Sequence, residues 1–150
     1  MTINDILKVK GTQVWTIKSG QTAREALALL CFQNIGALVV TDDKDHRIVG
    51  VISERDIVRG CFKRNCDLEG VLVCEMMTRE VITSHPEDQV ENLMEIMTEQ
   101  RIRHIPIVSE GRLVGLVSIG DIVKSVLQES KHQIRFLKEF MYGPNSEEAV

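Results

Sequence analysis

An internal repeat constrains this chain more than any other feature. The run Arg47-Ile-Val-Gly-Val-Ile-Ser-Glu-Arg-Asp-Ile-Val-Arg59 is matched by Arg112-Leu-Val-Gly-Leu-Val-Ser-Ile-Gly-Asp-Ile-Val-Lys124. Gly50, Ser53 and Asp56 thereby pair with Gly115, Ser118 and Asp121. Upstream, Thr16, Gln33 and Ile35 align with Thr83, Gln100 and Ile102 at a spacing of 67, which falls to 65 downstream. The two-residue difference lies between residues 42–46 and 109–111, polar stretches that read as turns, where length changes are tolerated. Each copy is thus one supersecondary unit. A unit of ~50 residues buries too little surface to stand alone. The link between the copies, residues 61–70, is short and polar, so the copies should pack directly together.

Both copies read as β-α-β-β-α. A short extended stretch, residues 14–17 or 81–84, precedes a helix with apolar residues at helical spacing. These are Ala23, Ala26, Leu27, Leu30 and Cys31 in the first copy, and Val90, Leu93, Met94 and Met97 in the second. Two β-rich runs then flank a polar turn, 37–41 with 47–52 and 105–108 with 113–117. A second helix starts after Ser53 and after Ser118. Residues 3–7 and 73–77 resemble each other as short lead-in helices. The division is residues 1–66 for the first repeat with its lead-in helix, 67–127 for the second, and 128–150 for a C-terminal extension. Across that boundary Leu127, Ile134, Leu137, Phe140 and Met141 continue the last helix up to Gly143-Pro144. The polar residues 145–150 are expected to be loose.

A net charge of −4 argues against binding nucleic acid through bulk electrostatics, though not against a small basic pocket. No apolar run approaches the ~18 residues that span a membrane. The N-terminus lacks the features of a secretory signal or transit peptide, so the cytoplasm is the expected location. Cys31 falls within an apolar helical pattern and reads as core. Cys61 and Cys66 have no partners at zinc-ligand spacing, which leaves reduced thiols or a redox pair.

The β-α-β-β-α order, the Gly-hydrophobic-hydrophobic-Ser-x-x-Asp run closing each copy, and the tandem pairing resemble the CBS domain, named for cystathionine β-synthase, in its paired form (a Bateman module). The resemblance covers about residues 3–125. It implies an α/β (α+β) fold of two repeats packed through their sheets as one pseudo-symmetric, stand-alone module. It also implies two clefts that can each hold an adenosine group, and a homodimer.

Ser53-Glu-Arg-Asp56 and Ser118-Ile-Gly-Asp121 admit two readings. Ser followed three residues later by an acid at a helix start is close to a capping box, worth about 1 kcal/mol. The same corner offers free N–H groups and a positive dipole end to a phosphate, and a carboxylate to ribose hydroxyls. The family resemblance assigns this Asp to ribose and this Ser to the neighbourhood of phosphate. Arg101-Ile-Arg-His104 reads either as a solvated helix end or, by the resemblance, as a source of phosphate ligands in Arg103 and His104. The first copy has Gly36 and Ala37 there, with Arg55 as a compensating cation opposite Gly120. His104 would gain charge as pH falls through about 6.5. By analogy, Ile17, Ala37 and Leu38 would line one adenine slot, and Thr83, Ile105 and Pro106 the other. No G-x-G-x-x-G, P-loop or H-E-x-x-H is present, and no enzymatic constellation stands out. The expectation is a regulatory binder of adenosine nucleotides, AMP first, with no catalytic cofactor, acting on an unidentified protein partner. The alternatives are an interaction module with empty clefts, or a binder of S-adenosylmethionine or NADH.

Overall fold

A computed structural model describes residues 1–144; residues 145–150, where the loose tail is expected, lie outside the described part. The elements run α1 (Ile3–Lys10), β1 (Thr16–Lys18), α2 (Ala23–Gln33), β2 (Ala37–Thr41), β3 (Ile48–Ser53) and α3 (Glu54–Arg64). They continue with α4 (Val73–Met76), α5 (Val90–Gln100), β4 (His104–Ser109), β5 (Arg112–Ser118) and α6 (Ile119–Tyr142). In the first repeat β1 pairs parallel with β2, and β2 antiparallel with β3. In the second, β4 and β5 form the matching antiparallel pair. The expected extended stretch at 81–84 is reduced to one parallel bridge between Ser84 and Ile107. There the Ser84 hydroxyl donates to Asp88 at 2.6 Å and turns the chain toward α5. No helix among the described residues is long and apolar enough to cross a membrane.

Local chemistry explains where the helices start and stop. Thr22 accepts from the Glu25 N–H while the Glu25 carboxylate accepts from the Thr22 N–H, a reciprocal cap on α2. Ser53 with Asp56 and Ser118 with Asp121 do the same for α3 and α6. Asn34 ends α2 in the left-handed conformation, which its short amide side chain tolerates. Arg101 ends α5 at φ 54°, a conformation unfavourable for a long side chain.

Each repeat has its own apolar core, but the lead-in helices are exchanged between them. Ile3, Ile6 and Leu7 of α1 are buried with Leu93, Ile105 and Ile122 of the second repeat. Val73 and Met76 of α4 are buried with Leu30, Leu38 and Ile52 of the first. Packing thus assigns α1 to the second repeat, although it adjoins the first in sequence. Backbone bonds secure the exchange: Ile3 N–H donates to the Asp88 carbonyl, and Val73 N–H to that of Gln21. Each buried large side chain contributes about 1.5–3 kcal/mol, so neither core is complete without the helix taken from the other segment. The paired glycines make the fit possible. A Cβ at Gly50 would stand 2.5 Å from the Met77 sulfur, and one at Gly115 would stand 2.6 Å from Leu7 Cδ2.

Cys31 is exposed, contrary to the core position expected for it. The buried stripe of α2 runs through Ala23, Ala26 and Leu30. Cys31, one residue further on, is rotated about 100° to the outer face. The last helix does continue through the extension, as α6, and leaves Leu127, Ile134, Leu137, Phe140 and Met141 exposed.

Candidate functional site

The N-terminus of α3 opens into a cleft of about 380 Å³, within the range of small-molecule sites. Ser53, Arg55, Asp56 and Arg59 form one wall, supplied by the first repeat. Arg101, Ile102, Arg103, His104 and Pro106 form the facing wall, supplied by the second. The basic cluster of the second copy therefore stands opposite the Ser and Asp of the first. Thr78, Glu80, Val81 and Ile82, from the segment after α4, close a third side. The segment is laid along β3 by two backbone bonds between Thr78 and Val51, of 2.9 and 3.0 Å.

The two oxygens of Asp56 divide their work. Oδ2 accepts from the Ser53 N–H at 2.9 Å and from the Ser53 hydroxyl at 3.0 Å, which caps the helix. Oδ1 accepts from the Thr78 hydroxyl at 3.2 Å. A carboxylate oxygen has lone pairs for two donors, so capping and ligand contact are compatible at this residue. Four arginines line the cleft (Arg55, Arg59, Arg101 and Arg103) against three acids (Glu54, Asp56 and Glu80), an excess of cations suited to an anion.

His104 opens β4, pairs in register with Ser118, and comes so close to the first repeat that a Cβ at Gly36 would stand 3.2 Å from its Nε2. Burial pushes its pKa below the ordinary value, and the neighbouring Lys10 and Arg103 add to this against the opposing pull of Asp121 and Asp56. It therefore takes up its proton at a lower pH than an exposed imidazole does. In the cleft its neutral, hydrogen-bonding form is thereby favoured over the cation.

The equivalent corner at the start of α6 is built differently. Asp121 Oδ2 accepts from the Ser118 N–H at 2.8 Å and also from the Lys10 ammonium at 2.5 Å. Lys10 additionally donates to the Leu116 carbonyl. Burial alone would raise the Asp121 pKa, but the Lys10 ammonium and the Ser118 N–H outweigh it and hold the carboxyl below its usual range.

Of the residues assigned to adenine, Pro106 lines the cleft. Ile17, Ala37, Leu38 and Ile105 are at most 3% exposed and belong to the repeat interiors. Thr83 is exposed, while its neighbours Val81 and Ile82 face the cleft. The apolar wall is supplied instead by Val51, Val81, Ile82, Ile102 and Pro106. Arg59 could have been found from the sequence, because it lies one helical turn beyond Arg55 and Asp56. Thr78 to Ile82 could not, because their place depends on the exchange of the lead-in segments.

The family model for the CBS domain matches this chain twice, over residues 2–63 and 73–128. A similar relative is the mitochondrial CBS domain-containing protein CBSX3 of Arabidopsis thaliana, 33% identical over 95% of this chain and 72% of its own length. Among solved structures, a CBS-domain-containing protein from Agrobacterium tumefaciens superposes with a TM-score of 0.80 at 37% identity, covering 83% of this chain and 98% of that one. The CBS domain pair of protein MJ0100, solved in complex with 5′-methylthioadenosine and S-adenosyl-L-methionine, superposes with a TM-score of 0.72 at 30% identity, covering 87% and 98%.

Proposed function

Since the chain belongs to the CBS domain family and carries the domain as a tandem pair, we propose that it is a non-catalytic regulatory module that binds an adenosine nucleotide, AMP, in the cleft between α3 and Arg101–Pro106. The observation that carries this reading is the placement of Asp56 opposite an arginine cluster across one small-molecule-sized cleft. In the proposed pose the ribose hydroxyls donate to Asp56. The phosphate lies toward the α3 N-terminus and Arg103, and the base lies against Ile82, Ile102 and Pro106. The MJ0100 pair, solved with two adenosine compounds, supports the adenosine part. The excess of arginines favours a phosphate over the sulfonium of S-adenosylmethionine, which the same charges would repel.

The cleft is walled by both repeats, so a ligand in it bridges them and favours whichever relative packing closes it. A protein partner reading that packing completes the regulatory role. The test is a thermal-shift panel of AMP, ADP, ATP, NADH and S-adenosylmethionine on the native chain and on Asp56→Ala. At 100 times its dissociation constant AMP should add about 2.7 kcal/mol. For a chain of this size that is a rise of roughly 5–10 °C. Asp56→Ala should lose most of the rise. No shift with any of the five at millimolar concentration would favour an interaction module with empty clefts.

A further inference from the structure

The two Ser-x-x-Asp corners share one sequence pattern, yet different groups hold their carboxylates. At the first, Thr78 uses both of its donors: its N–H donates to the Val51 carbonyl and its hydroxyl to Asp56 Oδ1. In the repeat alignment Leu116 is the counterpart of Val51, and Asp121 that of Asp56. At the second corner both counterparts are engaged by one group, the Lys10 ammonium, which donates to the Leu116 carbonyl and to Asp121 Oδ2. A neutral hydroxyl is thus replaced by a cation that neutralises the carboxylate.

This ammonium is held in place by the fold. Leu7 seats over Gly115, with Ile3 and Ile6 buried beside it, so α1 is fixed on the second repeat. Lys10 lies three residues beyond Leu7, at the last position of α1, on the same side of the helix. The Lys10 and Asp121 side chains are only 33% and 25% exposed, so water screens the pair less than it would on an open surface. In the first cleft the residue three places beyond Met77 is Glu80, an acid that cannot pair with Asp56.

We infer that Lys10 acts as a built-in occupant of the second corner, neutralising Asp121 and standing where a ribose would approach it, and so restricts the chain to one adenosine ligand, held at Asp56. This rests on the proposed adenosine reading of the first cleft. Lys10 is then the residue that sets stoichiometry, and the inequivalence of the two sites lies in the exchanged lead-in helix rather than in the Ser-x-x-Asp runs. The segment equivalent to Arg101–Arg103 at the second corner is Asn34-Ile-Gly36, which brings no cation. A site opened there should therefore take adenosine about as readily as AMP.

Calorimetry with adenosine and with AMP tests this on the native chain, Lys10→Met, Lys10→Arg, and the double variant Lys10→Met/Asp56→Ala. Lys10→Met keeps the apolar stem of the side chain, and Lys10→Arg keeps its charge. The expected stoichiometry is one ligand per chain for native and Lys10→Arg, and two for Lys10→Met. The double variant should retain one, bound with similar affinity for adenosine and AMP. Two ligands on the native chain, or one on Lys10→Met, would overturn the inference and leave the first cleft's assignment standing. A native chain that binds two AMP and loses one on Lys10→Met would make Lys10 a phosphate ligand instead. Binding to Lys10→Met alone, with none to the native chain, would sink the reading of the Asp56 cleft but support that of Lys10. Binding to neither would sink both.

Discussion

Gly115→Ala probes the exchanged packing that places Lys10. The added Cβ would stand 2.6 Å from Leu7 Cδ2 and 3.3 Å from Cδ1. Carbon atoms in contact prefer about 3.5–4 Å, so Leu7 must move by about 1 Å. It has little freedom to do so, being 4% exposed on a helix whose Ile3 and Ile6 are also buried. Overpacking of this kind costs about 1–3 kcal/mol. Leu7→Ala alone should cost about 2–5 kcal/mol through the cavity it leaves. The methyl group added at position 115 points into that cavity, so the double variant should fall short of the summed cost by about 0.5–3 kcal/mol. Urea unfolding followed by circular dichroism measures all three from the midpoint, at unchanged m. Costs that add within ~0.5 kcal/mol would refute the contact, and with it the assignment of α1 to the second repeat. Gly50→Ala is the internal comparison. Its Cβ would meet the flexible Met77 side chain but also the Thr78 carbonyl oxygen at 2.9 Å. A backbone atom cannot yield as a side chain does, so Met77→Ala should rescue Gly50→Ala only in part.

Three further outcomes are expected. Arg103→Ala should weaken AMP by about 1.5–3 kcal/mol while leaving adenosine nearly unchanged, because the charged hydrogen bond to phosphate in the proposed pose would be lost; equal losses in calorimetry would mean that Arg103 supports the fold or the base instead. His104 has a lowered folded pKa, so its contribution to stability is full above about 6.5 and declines as pH falls from there through the folded value, since the unfolded chain takes up the proton first. Native and His104→Gln stabilities measured between pH 5 and 8 should therefore differ in slope below about 6.5, and parallel curves would contradict the burial of the ring. The exposed Leu127, Ile134, Leu137, Phe140 and Met141 on α6 form an apolar stripe suited to self-association, so light scattering at micromolar concentration should give a mass above that of the 17.0 kDa protomer; the protomer mass would count against a homodimer.

Much of this molecule is set by local chemistry and is therefore legible in the chain itself. The duplicated Gly-hydrophobic-hydrophobic-Ser-x-x-Asp run determines two equivalent strand-to-helix corners, because Ser and Asp cap a helix wherever they stand three apart at its start. Helical periodicity determines which faces of α2 and α5 are apolar, and the continuous apolar runs of β2 and β4 mark them as buried strands. Tertiary structure alone decides which apolar face meets which. Both lead-in segments are amphipathic, and both cores need a helix laid over a glycine, so periodicity cannot choose between keeping each helix and exchanging it. That choice brings Lys10 to Asp121, 111 residues away, and Thr78 to Asp56. It also separates residues that one pattern makes look alike: Ile105 is sealed in a core while Pro106, its neighbour, faces the cleft. A sequence pattern records which surface must leave water; the partner that covers it is chosen by the shape of the rest of the fold, and here that choice gives two like Ser-x-x-Asp corners different neighbours.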